Sequence, residues 1–207
     1  MGTDIYGGIE YRHPDAGSDW YEGELWLTAI SLWPLYDQTD YAAFGCLFGV
    51  RNHAGFTPLA AGRGLPADLS AGLRAELERP VAVGDMDSAS WVSWAELAAL
   101  DSSAAPEHYI GRLTWSPKSR PWRLTRQLVP GKWPVEVSEA VGAPPAGWSS
   151  SIERLEWETD ELAVCYESMS VGTVLGPGSH WPHVFAVMRA LAGRFGDESV
   201  RLVVAFD

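Results

Sequence analysis

Arginines at 51 and 63 lie within a glycine-rich stretch, FGVRNHAGFTPLAAGRGLP (48–66), that no regular helix or strand would hold. Each guanidinium offers a planar fork of donors matched to a carboxylate or a phosphate. Glycines at 49, 55, 62 and 64 let the backbone take positive φ and come close to a ligand. Arg51 and Arg63, with Asn52 beside the first, are therefore the expected anion clamp. His53 lies between the two cations and is the first candidate acid or base. A second polar stretch, GDMDSASW (84–91), sets Asp85, Asp87, Ser88 and Ser90 ahead of a helix start. Asp87 is the second candidate for proton transfer, and Ser88 and Trp91 extend the expected binding surface. Oxygen-rich turns of this kind hold hard cations or cap exposed backbone N–H groups; the EF-hand spacing is absent, so no metal is expected.

Other chemistries lack their residues. Neither GxxxxGK[ST] nor GxGxxG occurs, and there is no GxSxG elbow. His180 and His183 stand three apart at a helix start and share a face, but no HExxH or CxxC completes a ligand set. Asp4 and Glu10 fall on one side of the first strand, roughly 20 Å apart at strand rise, too far to flank one bond. They are expected to be solvated. No cofactor is implied.

These side chains need a scaffold, and its outline is legible. TDIYGGIEYR alternates as a half-buried strand, and YEGELWLTAI follows HPDAGSD as its hairpin partner. YAAFGCLFG has helical spacing behind Thr39 or Asp40 and ends at Gly49. Leu69, Leu73 and Leu77 form one stripe of a helix that Pro80 is expected to stop. Ser93 and Glu96 fit a capping box with Val92 and Leu97 as its staple. Residues 101–150 carry seven prolines and the tryptophans Trp115, Trp122, Trp133 and Trp148, which suggests an ordered excursion with short strands YIGRLTW and WRLTRQL. RLEWET and ELAVCYESM alternate as a hairpin. A helix over 180–195, with Pro182 in its first turn, precedes VRLVVAF, an apolar run suited to an interior strand covered on both faces. The expected architecture is α+β: one domain over residues 1–207, with helices packed on a largely antiparallel mixed sheet.

The 207 residues are 46% hydrophobic, enough for a core without metal or disulfide staples. Cys46 and Cys165 sit among apolar neighbours, where thiols pack as small hydrophobes. No apolar run of membrane-spanning length occurs, and the N-terminus MGTDIYGGIEYRHP shows no signal core, so a cytoplasmic protein is expected. A formal charge of -12 disfavours phosphate backbones and anionic membranes. It is compatible with docking on a basic partner or with mimicry of nucleic acid, but acidity more often serves solubility alone. Mimicry of DNA ranks last among the functional readings, since the acidic residues are scattered. Eleven tryptophans spread from Trp20 to Trp181 supply core and surface alike.

The set MGTDIYGGIEYR, FGVRN, GRGLP, DSASW and VRLVVAFD resembles a group of uncharacterised proteins carried by tailed phages and by bacteria, including actinobacteria. The resemblance covers both ends and residues 44–94, and it implies phage or mobile-element biology. That group often carries histidine where this chain has Tyr6 and Asp87. Two functions are expected from the residues: a binding protein that engages a small anionic ligand or a protein partner through the arginine loop, which the resemblance would make phage-derived or conflict-related, or a hydrolase or transferase acting on a phosphorylated or nucleotide-like substrate.

Overall fold

The apolar run at the end of the chain forms the centre of the molecule. In the computed structural model, which describes residues 2–108, 111–129, 132–142 and 154–207, strand β8 (Val200–Phe206) is buried along its whole length. It pairs antiparallel with β1 (Ile5–Arg12) on one side and β3 (Ser88–Ser93) on the other, and β2 (Trp26–Ser31) extends the sheet beyond β1. Both faces are covered. Val203 and Ala205 meet the Leu69, Leu73 and Leu77 stripe that leads into and lines α2 (Ala71–Val83). Val200, Leu202, Val204 and Phe206 meet a larger cluster built with α1 (Tyr41–Phe48), α3 (Trp94–Ala98), α5 (Val171–Leu175) and α6 (Trp181–Phe195). Burying each such side chain contributes roughly 1.5–3 kcal/mol relative to exposure, so one charge introduced at Val203 would break the sheet.

A second sheet, in the order β5-β4-β7-β6, is built from one contiguous stretch: β4 (Gly111–Pro117), β5 (Thr125–Val129), β6 (Arg154–Glu158) and β7 (Leu162–Ser168). Its core of Leu113, Trp115, Val129, Val164 and Tyr166 is closed by Trp133 and by Val137 of α4 (Val135–Val141). The short strands expected within the proline-rich excursion are thus half of a sheet completed by the RLEWE and LAVCYES hairpin. Of the tryptophans expected to anchor it, Trp115 and Trp133 are buried and Trp122 is exposed, while Trp148 lies outside the described residues. All strand pairings among the described residues are antiparallel, and the fold is α+β with helices on the sheets. None of the described helices is long and apolar enough to cross a membrane.

Local signals explain most element ends. Asp40 caps α1 by accepting from the Ala42 and Ala43 N–H groups, and Gly49 ends it at φ 75°. Ser93 and Glu96 make both bonds of the capping box. Two expectations are corrected. Helix α2 runs through Pro80 to Val83, because a proline in the last turn forfeits a single intrahelical bond, and the Pro80 carbonyl accepts from Asp85 and Met86 beyond the end. Ser88 to Ser93 form a strand rather than a turn, since β8 offers a free edge that six residues fill.

Candidate functional site

One cross-strand row governs the α2 face of the first sheet. Thr28 lies opposite Glu10, Glu10 opposite Arg201, and Arg201 opposite Ser93, so four polar residues cross all four strands. Glu10 is 0% exposed and Arg201 4%. The Glu10 carboxylate accepts from Arg201 Nε at 2.7 Å and from the Ser70 N–H at 2.8 Å, tying the sheet to the N-cap of α2. Thr28 and Ser70 share a hydroxyl hydrogen bond of 2.7 Å. The expectation of a solvated Glu10 is corrected: alternation assigns it rightly to the face opposite Ile9, but α2 covers that face.

Arg201 reaches from this row into an open hollow of about 660 Å³. Its Nη1 donates to Asp68 Oδ1 at 2.8 Å and its Nη2 to the Asp68 carbonyl at 3.1 Å. The guanidinium carbon lies 3.9 Å from the Trp26 ring centre, and the Trp26 indole N–H donates to the other Asp68 oxygen at 2.9 Å. Burial opposes ionisation of Asp68, but the Arg201 and Trp26 donors and the Arg201 charge hold its pKa below the ordinary value.

Arg63 builds the opposite wall. Its fork donates to Glu96 at 3.0 and 2.6 Å, and its remaining terminal hydrogens go to the carbonyls of Trp91 at 3.2 Å and Leu59 at 3.3 Å. It lies 5.0 Å from the Trp91 ring centre, and Arg201 lies 6.0 Å from the same ring, so Trp91 contacts both cations. The hydrogen bonds from Arg63 and Ser93, with the Arg63 charge, bring the Glu96 pKa down to about 2 against the cost of burial. Glu198 completes the charged lining and has no hydrogen bond or ion pair among the described residues. With Arg63 and Arg201 against Asp68, Glu96 and Glu198, the wall carries a net formal charge of one negative unit, and Glu10 behind it adds another.

Of the residues singled out in the sequence, the hollow gathers Arg63 and Trp91. The other expected members are placed elsewhere or used in packing. Arg51, at φ 50°, donates from Nε to Thr3 Oγ1 at 3.0 Å and is not part of the lining, so the expected Arg51–Arg63 clamp does not form there. Asn52 organises its own turn, accepting from the Gly55 and Phe56 N–H groups and donating to the Phe56 carbonyl. The loop is pinned to the core by Ala54, Phe56 and Ala60, which are buried against the α1 cluster. His53 faces Tyr41, with ring centres 6.4 Å apart. Asp87 precedes β3, where its N–H donates to the Phe206 carbonyl, and Ser88 pairs with Phe206. Neither His53 nor Asp87 lines the hollow. Tyr6 and Asp87, where the resembled group often has histidine, flank the same end of β8, and the Tyr6 hydroxyl donates to Asp207 at 3.4 Å.

His180 and His183 lie 6.1 Å apart between ring centres, and His180 bonds to Asp37; no group of three or more metal-ligating side chains exists among the described residues. Both cysteines are free, and burial pushes the Cys46 thiol up to about 12, far from the thiolate a nucleophile needs. Sequence reasoning missed Glu10, Asp68 and Arg201. The available signal was Arg201 itself, since a cation inside an interior apolar strand requires a buried counter-charge. No family model, no curated protein and no solved structure matches the chain.

Proposed function

We propose that the chain is a binding protein that docks a basic surface of a partner protein in the hollow between Arg63 and Arg201. The observation that carries this reading is the occupation of both arginine forks by carboxylates of the chain itself. Seating a phosphate or carboxylate on Arg63 would require Glu96 to surrender a bidentate pair, and the surrounding charge is negative. A Lys or Arg side chain meets the opposite conditions: the Glu198 carboxylate, which pairs with no cation among the described residues, and a negative lining within a protein of formal charge -12. Trp20 and Leu25, exposed on the connection that leads into Trp26, add apolar contact of the kind that anchors protein interfaces. A phage-derived or conflict-related role fits, since blocking a basic surface needs no catalytic residues. A cytoplasmic setting belongs to the same reading; the two cysteines are free thiols, as a reducing compartment leaves them.

An arginine-rich peptide and inorganic phosphate serve as opposed probes, read from the indole N–H resonances of Trp26 and Trp91. The peptide is expected to shift both signals saturably, with Glu198→Gln weakening it severalfold and Glu78→Gln, on the exposed side of α2, leaving it unchanged. A response to phosphate alone would restore the anionic ligand. Equal loss in both variants would reduce the peptide effect to net charge.

A further inference from the structure

A second cleft lies where the helices of the first sheet meet the second sheet. It encloses about 490 Å³ and is walled by Tyr36, Thr39, Tyr41, Ser179 and His180, with Arg112 of β4 on the opposite side. Arg112 is half-buried and forms no hydrogen bond or ion pair among the described residues. Glu167, its register partner on β7, would be its natural counter-ion. That carboxylate instead accepts from Arg154 at 2.7 Å. In a chain with 27 acidic residues against 15 basic ones, a half-buried guanidinium that makes no ion pair among the described residues is unusual.

Three further observations point to the same sign of ligand. Helix α6 is 15 residues long, and His180 at its N-cap makes no side-chain capping bond, so the positive end of its dipole borders the cleft without an acceptor from its own cap. Tyr36 is 2% exposed and its ring lies 4.4 Å from that of the buried Trp181; apart from each other, the Tyr36 hydroxyl and the Trp181 indole N–H have no hydrogen-bond partner among the described residues. The nearby carboxylates are already engaged. Asp40 accepts from the first N–H groups of α1, and Asp37 accepts from Gln38 and meets His180 at 3.1 Å. Of these two only Asp40 lines the cleft, so one carboxylate, used in capping α1, stands there against the Arg112 fork and the start of α6.

We infer that this cleft is an oxyanion site: it takes the carboxylate or phosphate group of a small molecule, with the Arg112 fork as the anchor and the Tyr36 wall and the start of α6 behind it. The Tyr41 hydroxyl, and the Thr39 and Ser179 oxygens, which donate to Asp4 and to the Gly176 carbonyl and can still accept, favour a hydroxylated body over an apolar one. The site is separate from the Trp26–Trp91 hollow and stands on different residues.

Inorganic phosphate and malonate are titrated separately into the full chain, followed by the Arg112 Nε–H and Trp181 indole resonances. Saturable shifts at both groups are expected, and the tighter of the two anions identifies the source of the oxyanion. Arg112→Gln is expected to weaken binding by about tenfold or more, the loss of a charge-assisted pair. Arg112→Lys, which keeps the charge and loses the fork, should fall between. Tyr36→Phe should weaken binding less than Arg112→Gln, and Arg189→Gln and Glu198→Gln should change nothing. Since Arg112 has no partner among the described residues, its replacement should leave the β8 amide signals in place, which checks the fold. Shifts that grow linearly and spread over the surface, or an affinity unchanged by Arg112→Gln, overturn the inference.

Discussion

Replacing Arg201 by leucine tests whether the polar row holds the sheet to α2. The substitution leaves Glu10 fully buried with the Ser70 N–H as its one remaining partner among the described residues, and leaves Asp68, whose side chain is 46% exposed and rehydrates readily, with the Trp26 indole N–H. The cost lies almost entirely at Glu10. Stranding one member of a buried ion pair costs roughly 3–5 kcal/mol. At a urea slope of about 2–3 kcal/mol/M, that lowers the unfolding midpoint by roughly 1–2.5 M. The double variant Glu10→Met/Arg201→Leu removes both charges at similar volume and should recover most of the loss, retaining about 1 kcal/mol for the unpaired Ser70 N–H. Urea titration followed by circular dichroism on wild type, both singles and the double gives the coupling energy. Strict additivity of the two substitutions, or a cost for Arg201→Leu below about 1 kcal/mol, would refute the account of a buried, mutually dependent pair.

Two further outcomes follow from the geometry. The folded Glu96 pKa of about 2 lies below its ordinary 4.5, so its contribution to stability is complete above pH 4.5 and is lost as the pH falls towards 2; Glu96→Gln should flatten that part of the acid-unfolding curve. Gly7 sits at φ 134° with the Val203 backbone where a Cβ would stand, so Gly7→Ala should unfold the chain or strongly lower its melting temperature, whereas Gly178→Ala, which meets open space, should be neutral.

The fold was more legible than the site, for reasons that particular residues make plain. Periodicity and caps are local, so Asp40, the Ser93–Glu96 box and the Leu69–Leu73–Leu77 stripe appear in the sequence as they do in the structure. VRLVVAF declared itself interior by its lack of alternation. Glu10 did not, because alternation reports which side of a strand a residue takes and not what lies above it; its cover, α2, begins about sixty residues later. The loop at 48–66 misled for a related cause. Arg51 and Arg63 are close in sequence, but the stretch between them dives into the core through Phe56 and Ala60, and Arg63 is placed by β3, where the Gly64 N–H donates to the Ala89 carbonyl. The partners that decide the chemistry of Arg63 and Arg201 come from Glu96, Asp68 and Glu10, at separations no local pattern encodes.

The strand pairing has a consequence for biosynthesis. Because β8 lies between β1 and β3, neither can complete its hydrogen-bond ladder until residues 200–206 have left the ribosome. The second sheet, drawn from residues 111–168, emerges whole well before that point. During translation every strand of the second sheet is therefore made before β8, while Ile5–Arg12 waits with the edge that β8 will cover. Such an edge invites chaperone capture or mispairing between neighbouring chains on a polysome.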